Sequence, residues 1–276
     1  MSSASLRETL RRAETMQLLP TYASKIQEIV DRPQTTIKEL ETVVSLDVAL
    51  STQILRVSNS AFFGLSREVE TIRQALLILG FNATRDIALA LAVMSMGKKD
   101  SVLNHRILQH SLQTAAAASL LARQLALGFD NSMVFVAGLV HDVGKLVMLA
   151  LEEPQYSPLI KMQTSGDAVR EKERELFGFD HAELGAGCLE RWKLPEKICQ
   201  AVEYHHYRGA EPISPLAALV SVANQLVELR DNGVDALAPI ADSPTARQLR
   251  ADHELLISVD NELDAAVADV TEMFYN

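Results

Sequence analysis

Apolar residues recur three or four positions apart along almost the whole chain, which is the spacing of one face of an α-helix. Ile37, Leu40 and Val44 show this spacing, and Thr36 and Glu39 stand where a helix-capping pair is expected. The strict alternation of apolar and polar positions that is typical of a half-buried strand is not found. The pattern therefore predicts an all-α protein.

Glycines and prolines indicate where the predicted helices end. Gly80 is predicted to end the helix that opens after Thr71, and Gly144 to break the long apolar helix in the middle of the chain. Pro154 and Pro158 predict a loop. We also expect a solvated, strongly charged helix at residues 167–176 and two short acidic helices from residue 242 onward.

An internal boundary is predicted at the segment from Gly97 to Asp100, which is short, charged and contains a glycine. It separates an N-terminal helical subdomain, residues 1–97, from a second helical subdomain, residues 98–230. Residues 231–276 follow as a C-terminal helical extension. The predicted architecture is thus two fused helical subdomains with an extension.

Charge and composition narrow the classes of function. The 276 residues carry a formal net charge of −10 at pH 7, which disfavours direct binding of nucleic acid or of an anionic membrane. The two cysteines, Cys188 and Cys199, predict a reducing compartment and no disulfide framework. No signal segment opens the chain, and apolar runs such as residues 87–94 fall short of the roughly 18 residues of a membrane span. We therefore expect a cytoplasmic protein.

Histidine and aspartate supply the candidate chemistry. His141-Asp142 follows an apolar run, and the pair offers one imidazole nitrogen and one carboxylate oxygen, which suits Zn, Fe, Mn or Mg. Taken singly, the other histidines fit ordinary roles as core residues, helix starts or helix-end cations. Taken together, they predict a divalent-metal site built between helices, with ligands His110, His141, Asp142, His181, His205 and His206.

Two further features each leave two alternatives open. Lys145 is suited to anchoring a substrate phosphate, but it is equally suited to a solvated helix end. Phe62 and Phe63, in the segment Asn59–Leu65, either anchor a loop against the first subdomain or offer an apolar surface to a partner.

The order of these residues resembles the HD superfamily of metal-dependent phosphohydrolases. That resemblance implies a first metal position at His110, His141 and Asp142, closed by a late Asp. It implies a second position at His181 and the pair His205-His206, with Asp142 as a bridge. Asn224 stands where the late Asp is expected. An amide oxygen is a neutral and weaker ligand than a carboxylate, so the departure weakens the first position and leaves the second intact.

Motifs in both halves together resemble a branch of that superfamily, the HDOD family, or HD-related output domain. The resemblance covers about residues 17–215, and it is carried by Leu19-Pro20, Asp47–Leu50, Asn59–Leu65, Gln74–Gly80, Gly138–Lys145, Phe177–His181, Trp192–Pro195 and His205-His206. It implies that the second subdomain is HD-like. It also implies a bacterial signal-transduction module that regulates through protein contacts, often without hydrolase activity.

The sequence therefore predicts a non-catalytic regulator that acts on signalling proteins in trans, with a residual metal site. The alternative is a metal-dependent phosphohydrolase acting on a nucleotide or cyclic dinucleotide. The branch of the superfamily that hydrolyses cyclic di-GMP carries a Gly-Tyr-Pro signature, and the segment from Tyr207 to Pro212 lacks it. The partner, the input signal and the oligomeric state have no signature in the sequence.

Overall fold

The computed structural model describes residues 5–16, 19–32, 34–60, 69–96, 102–161, 166–233 and 237–275, with side chains up to residue 271. Within these ranges every regular element is an α-helix, which confirms the predicted fold class. The helices are α1 (Leu6–Thr15), α2 (Thr21–Val30), α3 (Ile37–Ser45), α4 (Val48–Asn59), α5 (Ile72–Met94), α6 (Val102–Gln124), α7 (Asn131–Val140), α8 (Val143–Lys161), α9 (Gly166–Phe177), α10 (His181–Arg191), α11 (Glu196–Glu203), α12 (Pro215–Asp231), α13 (Ala238–Ala241), α14 (Pro244–Leu249) and α15 (His253–Tyr275).

The helices α2 to α5 pack mainly on one another, and α5 also packs against α7. Helices α6, α7, α8, α10, α11 and α12 form the second group, with α6 in contact with α7, α8 and α12. The first helix does not stay with its sequence neighbours, because α1 packs against α8 and α10. One hydrophobic cluster runs from Leu10 to Val270, so both groups of helices share a core.

Capping side chains fix where several helices begin. Thr36 and Glu39 form the predicted capping box at the start of α3. Asp180 and Glu183 form another at the start of α10, which sets the position of His181 as the first residue of that helix. A cap of this kind is worth roughly 0.5–2 kcal/mol.

Several predicted helix ends were wrong. The break in the central apolar helix lies at His141 and Asp142, and Gly144 is already inside α8. Pro154 and Pro158 also lie inside α8, where the irregular residue is Glu152, with φ −131° and ψ 29°. A proline near the start of a helical turn removes few hydrogen bonds, so the chain continues as a helix on the far side of this kink.

The prediction for Gly80 is confirmed, whereas that for the tail is wrong. Gly80 has the non-helical angles φ 74° and ψ 177°, so it ends the helical segment that opens after Thr71, and a second segment of α5 continues to Met94. The tail holds the short helices α13 and α14 and then the long helix α15, rather than two short helices. Helix α15 packs along α6, and this tertiary contact stabilises a length that local sequence signals do not indicate.

Asn59, the last residue of α4, binds the backbone of Val69. Its side-chain amide donates to the carbonyl of Val69 at 2.8 Å, and its oxygen accepts from the Val69 amide at 2.6 Å. The predicted roles of Phe62 and Phe63, and the boundary at residues 97–100, lie outside the described residues.

Two helical stretches are long and apolar enough to cross a membrane by length and composition, contrary to the expectation from the sequence. They are Ile72–Met94 and Asn131–Lys161, and their most apolar windows are 56% and 83% buried inside the protein. The second stretch includes the break at His141 and Asp142. Such burial is that of core helices in a folded domain.

Candidate metal centre

The predicted ligands come from four different places in the second helical group. His110 lies on α6, the pair His141-Asp142 forms the turn between α7 and α8, and His181 opens α10. The pair His205-His206 follows the end of α11. All of them except the partly buried His110 are at most 2% exposed.

Two glycines allow the helices that carry these residues to approach closely. A Cβ atom at Gly138 would lie 2.6 Å from Cα of Ala115 on α6, and one at Gly144 would lie 1.9 Å from the carbonyl oxygen of His181. Glycine is the residue that permits such backbone contact. The His-Asp turn is thereby held against both α6 and the start of α10.

The structure brings the ligands into two groups that share Asp142. We call Asp142, His181, His205 and His206 the inner group, and His110, His141 and Asp142 the outer group. Within each group, the candidate ligand atoms all lie within 4.8 Å of one another. A metal ion about 2.1 Å from each ligand fits between atoms at such separations.

Hydrogen bonds to the Nδ1 atoms turn three imidazoles towards the centre. Nδ1 of His181 faces Oε2 of Glu173 at 2.7 Å. Nδ1 of His141 faces the backbone carbonyl of Gly138 at 2.8 Å, and Nδ1 of His205 faces that of Val202 at 2.6 Å. A nitrogen that faces an acceptor carries the proton, so Nε2 of each ring is left with a lone pair. This is the arrangement that metal-binding histidines use.

The inner group then places three imidazole nitrogens and a carboxylate oxygen against one another. Nε2 of His181 lies 3.3 Å from Nε2 of His205 and 3.2 Å from Nε2 of His206. Oδ1 of Asp142 lies 3.4 Å from Nε2 of His181 and 3.5 Å from Nε2 of His205. Oδ1 of Asp142 has no hydrogen-bond partner among the described residues. A cation between these atoms satisfies all of them at once.

The surroundings keep Asp142, His205 and His206 in protonation states that can bind a metal ion. Desolvation lowers the pKa of His205 to about 3 and that of His206 well below its usual value. Burial opposes ionisation of Asp142, but the positive charge of Lys145 and the nearby histidines hold its pKa well below the usual range. Neutral imidazoles and an ionised carboxylate are the forms that ligate a metal ion.

The outer group is arranged differently, because His110 faces an oxygen on each side. Its Nδ1 lies 2.9 Å from Oδ2 of Asp231, and its Nε2 lies 2.9 Å from Oδ1 of Asn224. Burial lowers the pKa of His110, but hydrogen bonding to Asp231 and the charge of Asp142 outweigh it and raise the pKa overall. His110 is thus placed as a donor on both nitrogens, and its Nε2 is 3.9 Å from Oδ2 of Asp142.

Lys145 is not a solvated helix-end lysine. Its ammonium donates to Oδ2 of Asp142 at 2.7 Å, and the side chain is only 14% exposed. It also lines a pocket of about 520 Å³ that reaches Asp142 and His110. Arg106, Gln109, Glu228 and Asp231 are among the other lining residues. A role of Lys145 in phosphate binding stays a prediction.

Glu173 is a candidate site residue that the sequence does not reveal. It lies on α9, which was predicted to be solvated, yet its side chain is fully buried. Oε2 accepts from both the backbone amide and Nδ1 of His181, and Oε1 accepts from the hydroxyl of Tyr156 at 2.6 Å. The signal was the spacing of Val169, Glu173 and Phe177, which places this carboxylate on the buried face of the helix.

Solved structures share this fold over nearly the whole chain. An HDOD domain protein of unknown function from Geobacter sulfurreducens has a TM-score of 0.72 and 25% identity, and the match covers 99% of this chain and 100% of that one. A Marinobacter aquaeolei VT8 protein whose name assigns it to signal transduction has a TM-score of 0.67 and 22% identity. That match covers 98% of this chain and 65% of the other. At 22% identity, the similarity to the Marinobacter protein shows a shared fold and not a shared function.

Sequence comparisons find a family match and more distant relatives. The model of the HDOD domain matches residues 16–208. An uncharacterised protein of Treponema pallidum is 24% identical over 80% of this chain and 44% of its own length. Ribonuclease Y of Fervidobacterium nodosum is 30% identical over 45% of this chain and 18% of the enzyme. The chain thus spans less than half the length of these curated relatives.

Proposed function

The chain belongs to the HDOD family, and we propose that it is a divalent-metal-binding regulatory module that acts on signalling proteins in trans without hydrolysing a phosphodiester. The resemblance of its motifs to signalling modules supports the regulatory part. The inner group supports the metal. The neutral Asn224 in place of a carboxylate supports the absence of hydrolysis, because a two-metal mechanism needs both positions filled.

The observation that carries the metal assignment is the geometry of the inner group. Three Nε2 atoms and one carboxylate oxygen converge in a fully buried space. Two of the three rings, His181 and His205, hold their Nδ1 protons on acceptors outside that space. Buried polar atoms that face one another without a proton between them are costly unless a cation joins them.

The donor set favours a transition metal over Mg. Imidazole suits Zn and Fe, while Mg prefers oxygen ligands and retains its water. When bound, such an ion neutralises the carboxylate of Asp142 and joins α10 and the end of α11 to the turn between α7 and α8. A metal held this way stabilises the folded state by mass action.

Metal analysis of the protein purified without added chelator tests this assignment. We expect about one ion per chain, and a rise in melting temperature when Mn²⁺, Fe²⁺ or Zn²⁺ is added to stripped protein, as binding to the native state requires. His205→Ala removes one ligand and should abolish both effects. His253→Ala, at an exposed histidine outside both groups, is the matched control and should retain them. Equal metal content in the two variants would contradict the assignment.

A second candidate function is a metal-dependent phosphohydrolase. The observation in its favour is the polar pocket of about 520 Å³, which brings Asp142, His110 and Lys145 to one accessible wall. A bound divalent ion lowers the pKa of a coordinated water and so supplies a nucleophile. The ammonium of Lys145 would bind the phosphate oxygens. Similarity to part of Ribonuclease Y makes an RNA phosphodiester a substrate to test beside nucleotides and cyclic dinucleotides.

A further inference from the structure

The two oxygens of the shared carboxylate face different partners. Oδ1 of Asp142 points to the inner group, 3.4 Å from Nε2 of His181 and 3.5 Å from Nε2 of His205. Oδ2 points to the outer group, where the ammonium of Lys145 lies 2.7 Å away. Nε2 of His141 is 3.4 Å from that same oxygen. A cation of the protein itself therefore already lies among the ligand atoms of the outer group.

Nε2 of His141 has no hydrogen-bond partner among the described residues, but the remaining polar atoms of the outer side are bound to protein partners. Oδ1 of Asn224 lies 2.9 Å from Nε2 of His110, and its amide donates to Oε1 of Glu228 at 3.2 Å. The other nitrogen of His110 lies 2.9 Å from Asp231. A second metal ion would have to break these contacts, and Asn224 would offer it no negative charge in return.

Charge balance favours the same arrangement. Asp142, Glu173 and Glu228 are carboxylates at the centre, while the buried Asp180 pairs with Arg170 and Arg174 and the half-exposed Asp231 pairs with His110. One divalent ion at the inner group and the ammonium of Lys145 neutralise the three negative charges at the centre. A second divalent ion beside Lys145 would leave an excess of positive charge in a poorly solvated space, which is costly.

We propose that the ammonium of Lys145 takes the place of a second metal ion, so that this protein binds one divalent ion, at the inner group, and not two. This inference rests on the proposed metal-binding function. It goes further, because it assigns a role to Lys145 and explains why an uncharged residue stands at position 224.

The test is a titration of stripped protein with Mn²⁺, followed by calorimetry and by electron paramagnetic resonance. The wild type should bind one equivalent and show a mononuclear spectrum. The double variant Lys145→Met, Asn224→Asp removes the ammonium and adds a carboxylate, so it should bind two equivalents with the exchange-coupled spectrum of a Mn pair. Lys172→Met is the matched control, since Lys172 is exposed and pairs with Glu175 on the surface of α9, and it should stay at one equivalent.

If the double variant fails to fold, the single variant Lys145→Gln decides the question. Loss of one positive charge a few ångströms away should tighten binding of a second Mn²⁺ by roughly tenfold or more. Two equivalents in the wild type, or no second ion in either Lys145 variant, would overturn the inference while leaving the metal-binding function in place. No Mn²⁺ in any of these proteins would instead refute the proposed function itself.

Discussion

Glu173 fixes the orientation of His181 from the side opposite the other ligands. Because the carboxylate accepts from Nδ1 at 2.7 Å, the proton stays on Nδ1 and Nε2 remains available to bind a metal ion. Burial works to raise the pKa of Glu173, but its interactions with His181 and Tyr156 lower it, so the group is an anion. Anionic partners of this kind also raise the basicity of a metal-binding imidazole.

We therefore predict that Glu173→Gln weakens binding of Mn²⁺ by about 10–100-fold, the usual effect of losing such a partner. The amide of Gln can present its nitrogen to Nδ1, which would shift the ring proton to Nε2. Calorimetric titration of stripped protein measures the affinity, and the nitrogen chemical shifts of His181 report the tautomer. Glu175→Gln, an exposed change on the same helix, should leave both unchanged. An unaltered affinity in Glu173→Gln would show that His181 does not depend on this carboxylate.

The sequence predicts ligand residues better than it predicts what orients them. Adjacent His-Asp and His-His pairs are conspicuous in a sequence, so the candidate ligands could be predicted. The structure places all six at one centre: His110, His141, Asp142, His181, His205 and His206. Their binding of metal stays a prediction. Glu173 is hidden among the charges of α9, and the contact between Asn224 and His110 joins residues 114 positions apart. Such contacts depend on how helices pack, which no local pattern encodes.

At the level of helices, the site depends on how closely α8 approaches the start of α10. A Cβ at Gly144 would lie 1.9 Å from the carbonyl oxygen of His181 and 2.7 Å from its carbonyl carbon. Neither backbone atom can move without shifting the helix that presents the ligand. The glycine therefore couples the position of the His-Asp turn to that of His181.

Gly144→Ala should consequently lower the free energy of unfolding by about 1–3 kcal/mol, as overpacking usually does, and weaken metal binding at the same time. Urea denaturation and Mn²⁺ titration measure the two effects. Gly187→Ala is a suitable control, because the atoms nearest to its added Cβ are the methyl groups of the flexible Leu10 side chain, at 3.0 Å, rather than backbone atoms. A Gly144→Ala protein with unchanged affinity would mean that the turn and α10 are not coupled in this way.

Helices themselves are predicted more reliably than their ends. The periodic apolar spacing indicates the helical class, and capping residues such as Thr36 begin helices where expected. Pro154 and Pro158 mislead, since α8 kinks at Glu152 and then resumes. Gly144 also misleads, because it serves a close contact between helices rather than a helix end. A glycine or proline has the same local signature in both roles, and only the packed structure distinguishes them.

Across the whole molecule, one hydrophobic core joins helices that the sequence assigns to separate parts. Helix α1 packs on α8 and α10, and α15 packs along α6 and touches α4. Side-chain contacts such as Arg12 with Glu152 and Arg123 with Glu262 reinforce these two attachments. Composition and local boundaries cannot predict such long-range attachments, whereas the family match over residues 16–208 agrees with the predicted extent of about 17–215.

The central claim is that this chain regulates without hydrolysis, and an assay of turnover tests it most directly. Protein loaded with Mn²⁺ or Fe²⁺ is incubated with cyclic di-GMP, an RNA oligonucleotide and bis(p-nitrophenyl) phosphate, beside an Asp142→Asn variant that lacks the shared carboxylate. We predict no metal-dependent turnover that distinguishes the two proteins, because Lys145 and the neutral Asn224 leave one cation position without a metal. Turnover on the order of 1 per second, the low end for ordinary enzymes, that disappears in Asp142→Asn would contradict the account and establish a phosphohydrolase.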